Sequence, residues 1–109
     1  MIVISDTSCV GYLIIIDRLT LLQQNFNNII IPSSVHREIL ALSGNYDLIS
    51  YLNADWISIK EIANHELYKN LLKEVDEGES EAIVLSKEVN ADLLLIDERK
   101  VHQLPVQWE

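Results

Sequence analysis

The chain has 109 residues, a net charge of −9 at pH 7 and a single cysteine, and 49% of its residues are hydrophobic. This composition predicts one ordered domain, residues 1–109, and excludes a disordered tail and an internal disulfide. No apolar run reaches the roughly 20 residues of a membrane span. No signal peptide is recognisable at the start, so we expect a cytoplasmic protein without a membrane partner.

Turn residues and hydrophobic periodicity predict helices and strands in alternation. In chain order they are a strand at 2–5, helices at 8–16 and 18–25, a strand at 28–31, a helix capped by Ser33 or Ser34 that ends near 42, a helix at 46–52, a strand at 56–60, helices at 65–75 and 79–89, and a strand at 93–96. This order predicts βαβ units, and therefore an α/β fold whose sheet is mostly parallel.

The excess of acidic residues limits which partners the chain can bind. The chain carries 17 acidic and 8 basic residues, so it lacks the clustered positive charge with which proteins normally bind nucleic-acid phosphates. A nucleic-acid substrate would therefore need metal ions or a local basic patch. A basic protein partner is the alternative.

Two aspartates follow short apolar runs that are predicted strands. Asp6 follows the strand at 2–5, and Asp97 follows the strand at 93–96. Ligands of open parallel sheets bind at the carboxyl ends of the strands, so both carboxylates are expected at one edge. Each aspartate could instead cap a helix.

Two glutamates are expected at the same edge. Glu38 shares the side of its helix with Val35 and Leu42, where a carboxylate is costly unless it is paired or bound to metal. Glu79 lies in the first turn of its helix, near the face of Ala82. The alternatives are an exposed or ion-paired Glu38, and a Glu79 that belongs to a solvated acidic helix start.

Converging carboxylates predict a bound cation. Two of them about 4 Å apart repel by about 4 kcal/mol at an effective dielectric constant of 20. Oxygen ligands favour Mg²⁺ or Mn²⁺, whereas His36, His65 and His102 have no spacing typical of zinc sites. Such ions suit phosphodiester hydrolysis. Cys9 has no basic neighbour in the sequence and is predicted to be a structural thiol.

Four segments, in this order, resemble the motifs of the PIN domain. They are Ile-Ser-Asp-Thr-Ser at 4–8, Ile-Pro-Ser-Ser-Val-His-Arg-Glu at 31–38, Gly-Glu-Ser-Glu-Ala-Ile at 78–83 and Leu-Ile-Asp-Glu-Arg at 95–99. The closest likeness is to bacterial PIN proteins similar to VapC toxins, in the subgroup with Gly-Glu-x-Glu-Ala and Asp-Glu-Arg motifs. The resemblance covers roughly residues 2–100.

The resemblance implies a three-layer α/β/α sandwich with a mostly parallel sheet of four to five strands. It also implies a Mg²⁺- or Mn²⁺-dependent ribonuclease that cleaves single-stranded RNA and is paired with an antitoxin protein that blocks its site. By motif match, the acidic residues of the catalytic metal site are Asp6, Glu38, Glu79 and Asp97.

The resemblance also suggests substrate contacts. Thr7 or Ser8 would lie near the metal or the scissile phosphate, and Arg99 or Lys100 would contact a substrate phosphate. Glu81 would replace Glu79 if its helix is rotated from the expected orientation.

PIN domains usually continue through another helix and strand after the last aspartate, whereas only 101–109 follow here. We therefore expect a C-terminally shortened domain whose exposed apolar edge is covered in a homodimer, a larger oligomer or a complex. One alternative is a catalytically impaired PIN remnant that acts as a protein-interaction module. Another is a receiver-like signalling domain, although the strand at 28–31 ends in Ile31-Pro32 rather than in a phosphoacceptor aspartate.

Overall fold

The computed structural model describes residues 1–42 and 48–96. Their elements, in chain order, are β1 (Val3–Ser5), α1 (Thr7–Ile15), α2 (Thr20–Phe26), β2 (Ile29–Pro32), α3 (Ser33–Leu40), α4 (Ile49–Leu52), β3 (Ile57–Lys60), α5 (His65–Leu71), α6 (Glu77–Glu88) and β4 (Leu93–Leu95). The predicted alternation of strands and helices is confirmed.

The strands form a parallel sheet in the order β3-β2-β1-β4. Ile4 of β1 lies opposite Ile30 of β2 on one side and Leu94 of β4 on the other. The receiver-like alternative is wrong, because that fold places the first strand between the second and the third. Here β1 lies between β2 and β4.

Helices cover both faces of the sheet, because neighbouring residues along a strand point to opposite sides. Val3, Ile29 and Ile31 pack in a core with side chains from α1, α2, α3 and α4. Ile4 and Leu94 pack on the other face with side chains from α5 and α6. The three-layer α/β/α sandwich is therefore confirmed.

The carboxyl ends of three strands meet at one edge of the sheet. Ser5 lies opposite Leu95, and the backbone N–H of Asp6 extends this pairing by donating to the Leu95 carbonyl at 3.0 Å. On the other side of β1, β2 ends at Pro32 and leads directly into α3. Residues that follow β1, β2 and β4 are thereby brought to the same edge.

The structure corrects two predicted helix starts. Neither Ser33 nor Ser34 caps α3, whose N-cap residue is Pro32 and has no side-chain capping bond. Helix α6 begins at Glu77 rather than at 79, because the Asp76 side chain caps it by accepting from the Glu79 N–H at 2.9 Å. Gly78 therefore lies inside the helix. The start of the predicted helix at 46–52 lies outside the described residues.

Candidate active site

Asp6 is placed by β1 and buried at the edge of the sheet. It is 1% exposed, and its Oδ1 accepts from the Cys9 backbone N–H at 3.2 Å, so it also caps α1. Its second oxygen, Oδ2, is fully buried as well. Asp6 therefore both follows the end of β1 and caps α1, so the two interpretations of this aspartate do not exclude each other.

Glu38 approaches this edge from α3. A Cβ atom added to Gly78 would lie 2.9 Å from Glu38 Oε1, 3.0 Å from Thr7 Oγ1 and 3.4 Å from Val35 Cγ2. The absent side chain of Gly78 thus leaves room for a carboxylate and a hydroxyl to come together against the first turn of α6. Thr7 directly follows Asp6, so this meeting point adjoins the buried aspartate.

The pKa of Glu38 is raised, and its causes describe the surroundings of the carboxylate. Partial burial raises this pKa most, the Thr7 hydroxyl lowers it, and the charges of Asp76 and Glu77 raise it further. The Arg37 charge lowers the pKa, but the Arg37 guanidinium itself binds Glu77 Oε1 at 2.9 Å. Much of the Glu38 side chain remains exposed, so the predicted placement on the apolar stripe of α3 is only partly correct.

The two glutamates of α6 have different surroundings. Glu79 is 2% exposed, so its interpretation as part of a solvated helix start is wrong. Glu81 is 9% exposed, and its Oε1 accepts from the Ser34 backbone N–H at 3.0 Å, at the start of α3. Residues two apart in a helix point in different directions, so the two carboxylates serve different neighbours.

The described residues supply only part of the predicted metal site. Within 1–42 and 48–96, no three histidine, cysteine, aspartate or glutamate side chains come close enough together to hold a metal ion. Asp97, Arg99 and Lys100 lie outside the described residues, and so does the side chain of Ser8. The role of each predicted site residue therefore stays a prediction.

The chemistry of the described groups fits a hard divalent cation. The Glu38 carboxylate and the Thr7 hydroxyl come together at Gly78 and supply only oxygen donors, which Mg²⁺ and Mn²⁺ prefer. The raised pKa of Glu38 shows that negative charge is disfavoured at this position, and a bound cation would offset that cost.

Gly78 borders the candidate site but was not among the predicted site residues, because its helix was predicted to begin only at 79. Its signal was a glycine beside acidic residues at the start of a helical pattern, where glycine is intrinsically unfavourable. Such a glycine is expected when another group must approach the helix closely.

The Cys9 thiol and the His36 imidazole have surroundings that indicate a structural role. The Cys9 thiol is half-buried, and its pKa is raised by burial and by the Asp6 charge, with a smaller opposing effect from Ser5, so it remains protonated. His36 Nδ1 is hydrogen-bonded to the Tyr51 hydroxyl at 2.6 Å, and burial raises the pKa of Tyr51 to about 12. Neither Cys9 nor His36 belongs to the site at Gly78.

A model of the PIN domain family matches residues 2–105. No curated protein and no solved structure matches the chain. None of the helices within residues 1–42 and 48–96 has the length and hydropathy of a membrane span. PIN domains are generally nucleases and typically use divalent metal ions. Since the match covers nearly all of the sequence, the chain belongs to the PIN domain family.

Proposed function

We propose that this PIN domain is a Mg²⁺- or Mn²⁺-dependent endoribonuclease that cleaves single-stranded RNA, and that it is the VapC-like toxin of a toxin–antitoxin pair. The observation that carries the proposal is the approach of Glu38 Oε1 and Thr7 Oγ1 to Gly78, next to the buried Asp6. The Glu38 and Thr7 oxygens come from two separate parts of the chain, and both approach Gly78 near the carboxyl ends of β1 and β2.

The proposed roles follow the motif match of the four acidic residues. Asp6 and Asp97 would hold the principal ion, and Glu38 and Glu79 would complete its shell or orient the attacking water. When bound, the ion lowers the pKa of that water and stabilises the leaving oxygen of the phosphodiester. A carboxylate with a raised pKa, such as Glu38, is better suited to accept a proton from water.

Among the described residues, few basic side chains are available near the site to bind the phosphates of a substrate. Arg37 lies beside Glu38 but binds Glu77, and the chain as a whole is strongly acidic. We assign Thr7 and Ser8 to the scissile phosphate and Arg99 to a neighbouring phosphate of the RNA. The ions would then supply much of the attraction between this acidic protein and its polyanionic substrate.

The proposed partners are an antitoxin and a second copy of the chain. Helix α1 exposes Tyr12, which is 63% exposed, and Ile15. Its C-cap residue Ile16 and Leu21 of α2 are exposed as well. Exposed apolar side chains in such numbers are typical of an interaction surface. We expect light scattering of the purified chain to give the mass of a dimer or a larger oligomer, and a monodisperse monomer would contradict this.

The nuclease is tested with labelled RNA of mixed sequence, incubated with Mn²⁺ or with EDTA. The key variant is Asp6→Asn, because asparagine still caps a helix and should preserve the fold. Its matched control is Asp55→Asn, an exposed aspartate that precedes β3 at the opposite edge of the sheet. We expect cleavage that needs the ion, falls about 100-fold or more in Asp6→Asn and is unchanged in Asp55→Asn.

The interaction-module alternative predicts a different result. If the wild type cleaves no RNA, yet Mn²⁺ raises its melting temperature and leaves that of Asp6→Asn unchanged, the site binds an ion without hydrolysis. Cleavage that survives both EDTA and Asp6→Asn would contradict the metal-dependent mechanism itself.

A further inference from the structure

Glu81 joins two helices through a single charged hydrogen bond. Its Oε1 accepts from the Ser34 backbone N–H at 3.0 Å, across 47 positions of the chain. More than nine-tenths of Glu81 is buried, so the carboxylate is held between α6 and the start of α3 rather than in solvent.

Helix α3 lacks a cap of its own, which makes this bond significant. The first N–H groups of a helix have no partner within it, and the N-cap residue Pro32 has no polar side chain to offer. Ser33 Oγ turns to the Lys60 carbonyl at 3.4 Å, and Ser34 Oγ is buried with no hydrogen-bond partner among the described residues. The acceptor for the Ser34 N–H is therefore supplied by α6.

The same two helices also meet at the proposed catalytic site. Glu38 lies four residues after Ser34, one turn further along α3, and its Oε1 comes close to Gly78 of α6. Gly78 and Glu79 in turn precede Glu81 by less than one turn. The exposed Arg37–Glu77 ion pair also joins α3 and α6, at 2.9 Å. The buried bond at Ser34 adds a fixed contact at the start of α3 and so limits how α3 can slide or rotate relative to Gly78.

We propose that Glu81 is a positioning residue: by capping α3 from α6, it fixes the place of Glu38 opposite Thr7 and Gly78. This proposal rests on the proposed nuclease function for its catalytic consequence. Glu81 acts by placing a carboxylate oxygen within hydrogen-bond reach of the Ser34 N–H, a role that differs from that of the four acidic residues assigned to the metal.

Two conservative variants separate reach from charge. Glu81→Gln keeps an oxygen at the same distance and loses the charge, whereas Glu81→Asp keeps the charge but is one methylene too short to reach Ser34. Glu66→Gln and Glu66→Asp, at an exposed position of α5, are the matched controls. Far-UV circular dichroism and the melting temperature establish that each variant is folded.

Three readouts are measured on the full chain: hydrogen exchange of the Ser34 amide, the Mn²⁺ concentration for half-maximal cleavage, and kcat and KM for RNA. In Glu81→Asp we expect about tenfold faster Ser34 exchange and about a tenfold higher Mn²⁺ midpoint. Its kcat should fall while its KM for RNA stays within about twofold. Glu81→Gln should match the wild type in all three readouts.

Several results would overturn the inference. If Glu81→Gln cleaves RNA poorly and Glu81→Asp cleaves it normally, Glu81 acts through its charge. The same conclusion holds if both variants lose RNA cleavage while hydrogen exchange of the Ser34 amide is unchanged. Two fully normal variants would also overturn it. If the wild type cleaves no RNA, the proposed function fails separately, and the inference is judged by Ser34 exchange and by the Mn²⁺ dependence of the melting temperature.

Discussion

Gly78 shows how an absent side chain can build a site. Glycine costs about 1 kcal/mol relative to alanine inside a helix, yet it occupies the second position of α6. The space that it leaves is taken by Glu38 Oε1 and Thr7 Oγ1. At this position the propensity for helix is outweighed by the close approach of two polar groups.

A Gly78→Ala substitution should therefore separate stability from activity. The added methyl group would lie 2.9 Å from Glu38 Oε1, the end of a flexible side chain that can move away. We expect the free energy of unfolding to change by less than about 1 kcal/mol, because the better helix propensity of alanine offsets the crowding. RNA cleavage should fall about tenfold or more. Urea unfolding and the cleavage assay measure the two effects, and a fully active Gly78→Ala would contradict the proposed place of Glu38.

The raised pKa of Glu38 predicts how the free energy of unfolding changes with pH. The folded state binds this proton more tightly than the unfolded state, so the stability associated with Glu38 is fully present below the ordinary glutamate pKa. That stability is lost as the pH rises through the folded-state pKa. In the absence of metal, Glu38→Gln should therefore be more stable than the wild type near neutral pH, and the difference should shrink in acid.

The measurement is urea unfolding in EDTA at about pH 4 and about pH 7. Glu66→Gln on the exposed side of α5 is the control, and it should show no such pH-dependent gain. A wild type that is more stable than Glu38→Gln at neutral pH would show that the carboxylate is favourably paired in the folded protein.

At the scale of elements, α6 is the helix that organises the site. Its cap Asp76 precedes Gly78 and Glu79, its Glu81 reaches α3, and Glu88 in its last turn accepts from the backbone N–H groups of Ala63 and Asn64 before α5. Carboxylates along one helix thus connect it to both of its neighbouring helices.

Removing the α6 cap should destabilise the element that carries Gly78 and Glu79. We expect Asp76→Ala to lower the free energy of unfolding by about 1 kcal/mol, because the N–H of Glu79 loses its acceptor. Asp76→Asn keeps a capping oxygen and should lose only a few tenths of a kcal/mol. Chemical unfolding of the three proteins measures the difference, and equal stability of the two variants would show that the charge matters more than the cap.

At the scale of the whole molecule, the net charge of −9 opposes the binding of RNA. Basic RNA-binding proteins lose affinity steeply as salt rises, since binding releases counterions from the phosphates. With 8 basic against 17 acidic residues, the chain offers few cations for such contacts. Salt also screens the repulsion between an acidic protein and RNA.

We therefore expect a shallow dependence of RNA cleavage on monovalent salt. At saturating Mn²⁺, kcat/KM should change by less than about threefold between 50 and 200 mM KCl, whereas proteins with 6–10 phosphate contacts lose about 10³–10⁵ in affinity. A steep fall in kcat/KM would reveal a basic surface that the described residues do not show.

The order of elements and the sheet edge were predictable from local patterns. Short apolar runs that end before Asp6 and Pro32 predict strands, and alternation with helices predicts that their carboxyl ends meet. The place of Asp6 at the end of β1 follows from these rules, whereas its burial was seen only in the structure. The four ordered motifs, including Gly-Glu-Ser-Glu-Ala at 78–82, predicted the PIN domain family, which the match to residues 2–105 confirms.

The connections between helices were decided only by the tertiary structure. Ser33 or Ser34 was expected to cap α3 with its own side chain, but Glu81, 47 residues from Ser34, supplies the acceptor for the Ser34 N–H. Gly78 was expected to lie before its helix, but it lies inside α6, where Glu38 and Thr7 occupy the space that a side chain would fill. Local propensity and periodicity describe one segment at a time, whereas these positions depend on how α3 and α6 pack together. By itself the sequence determined the sheet and the residues available at its edge; packing determined which of them meet.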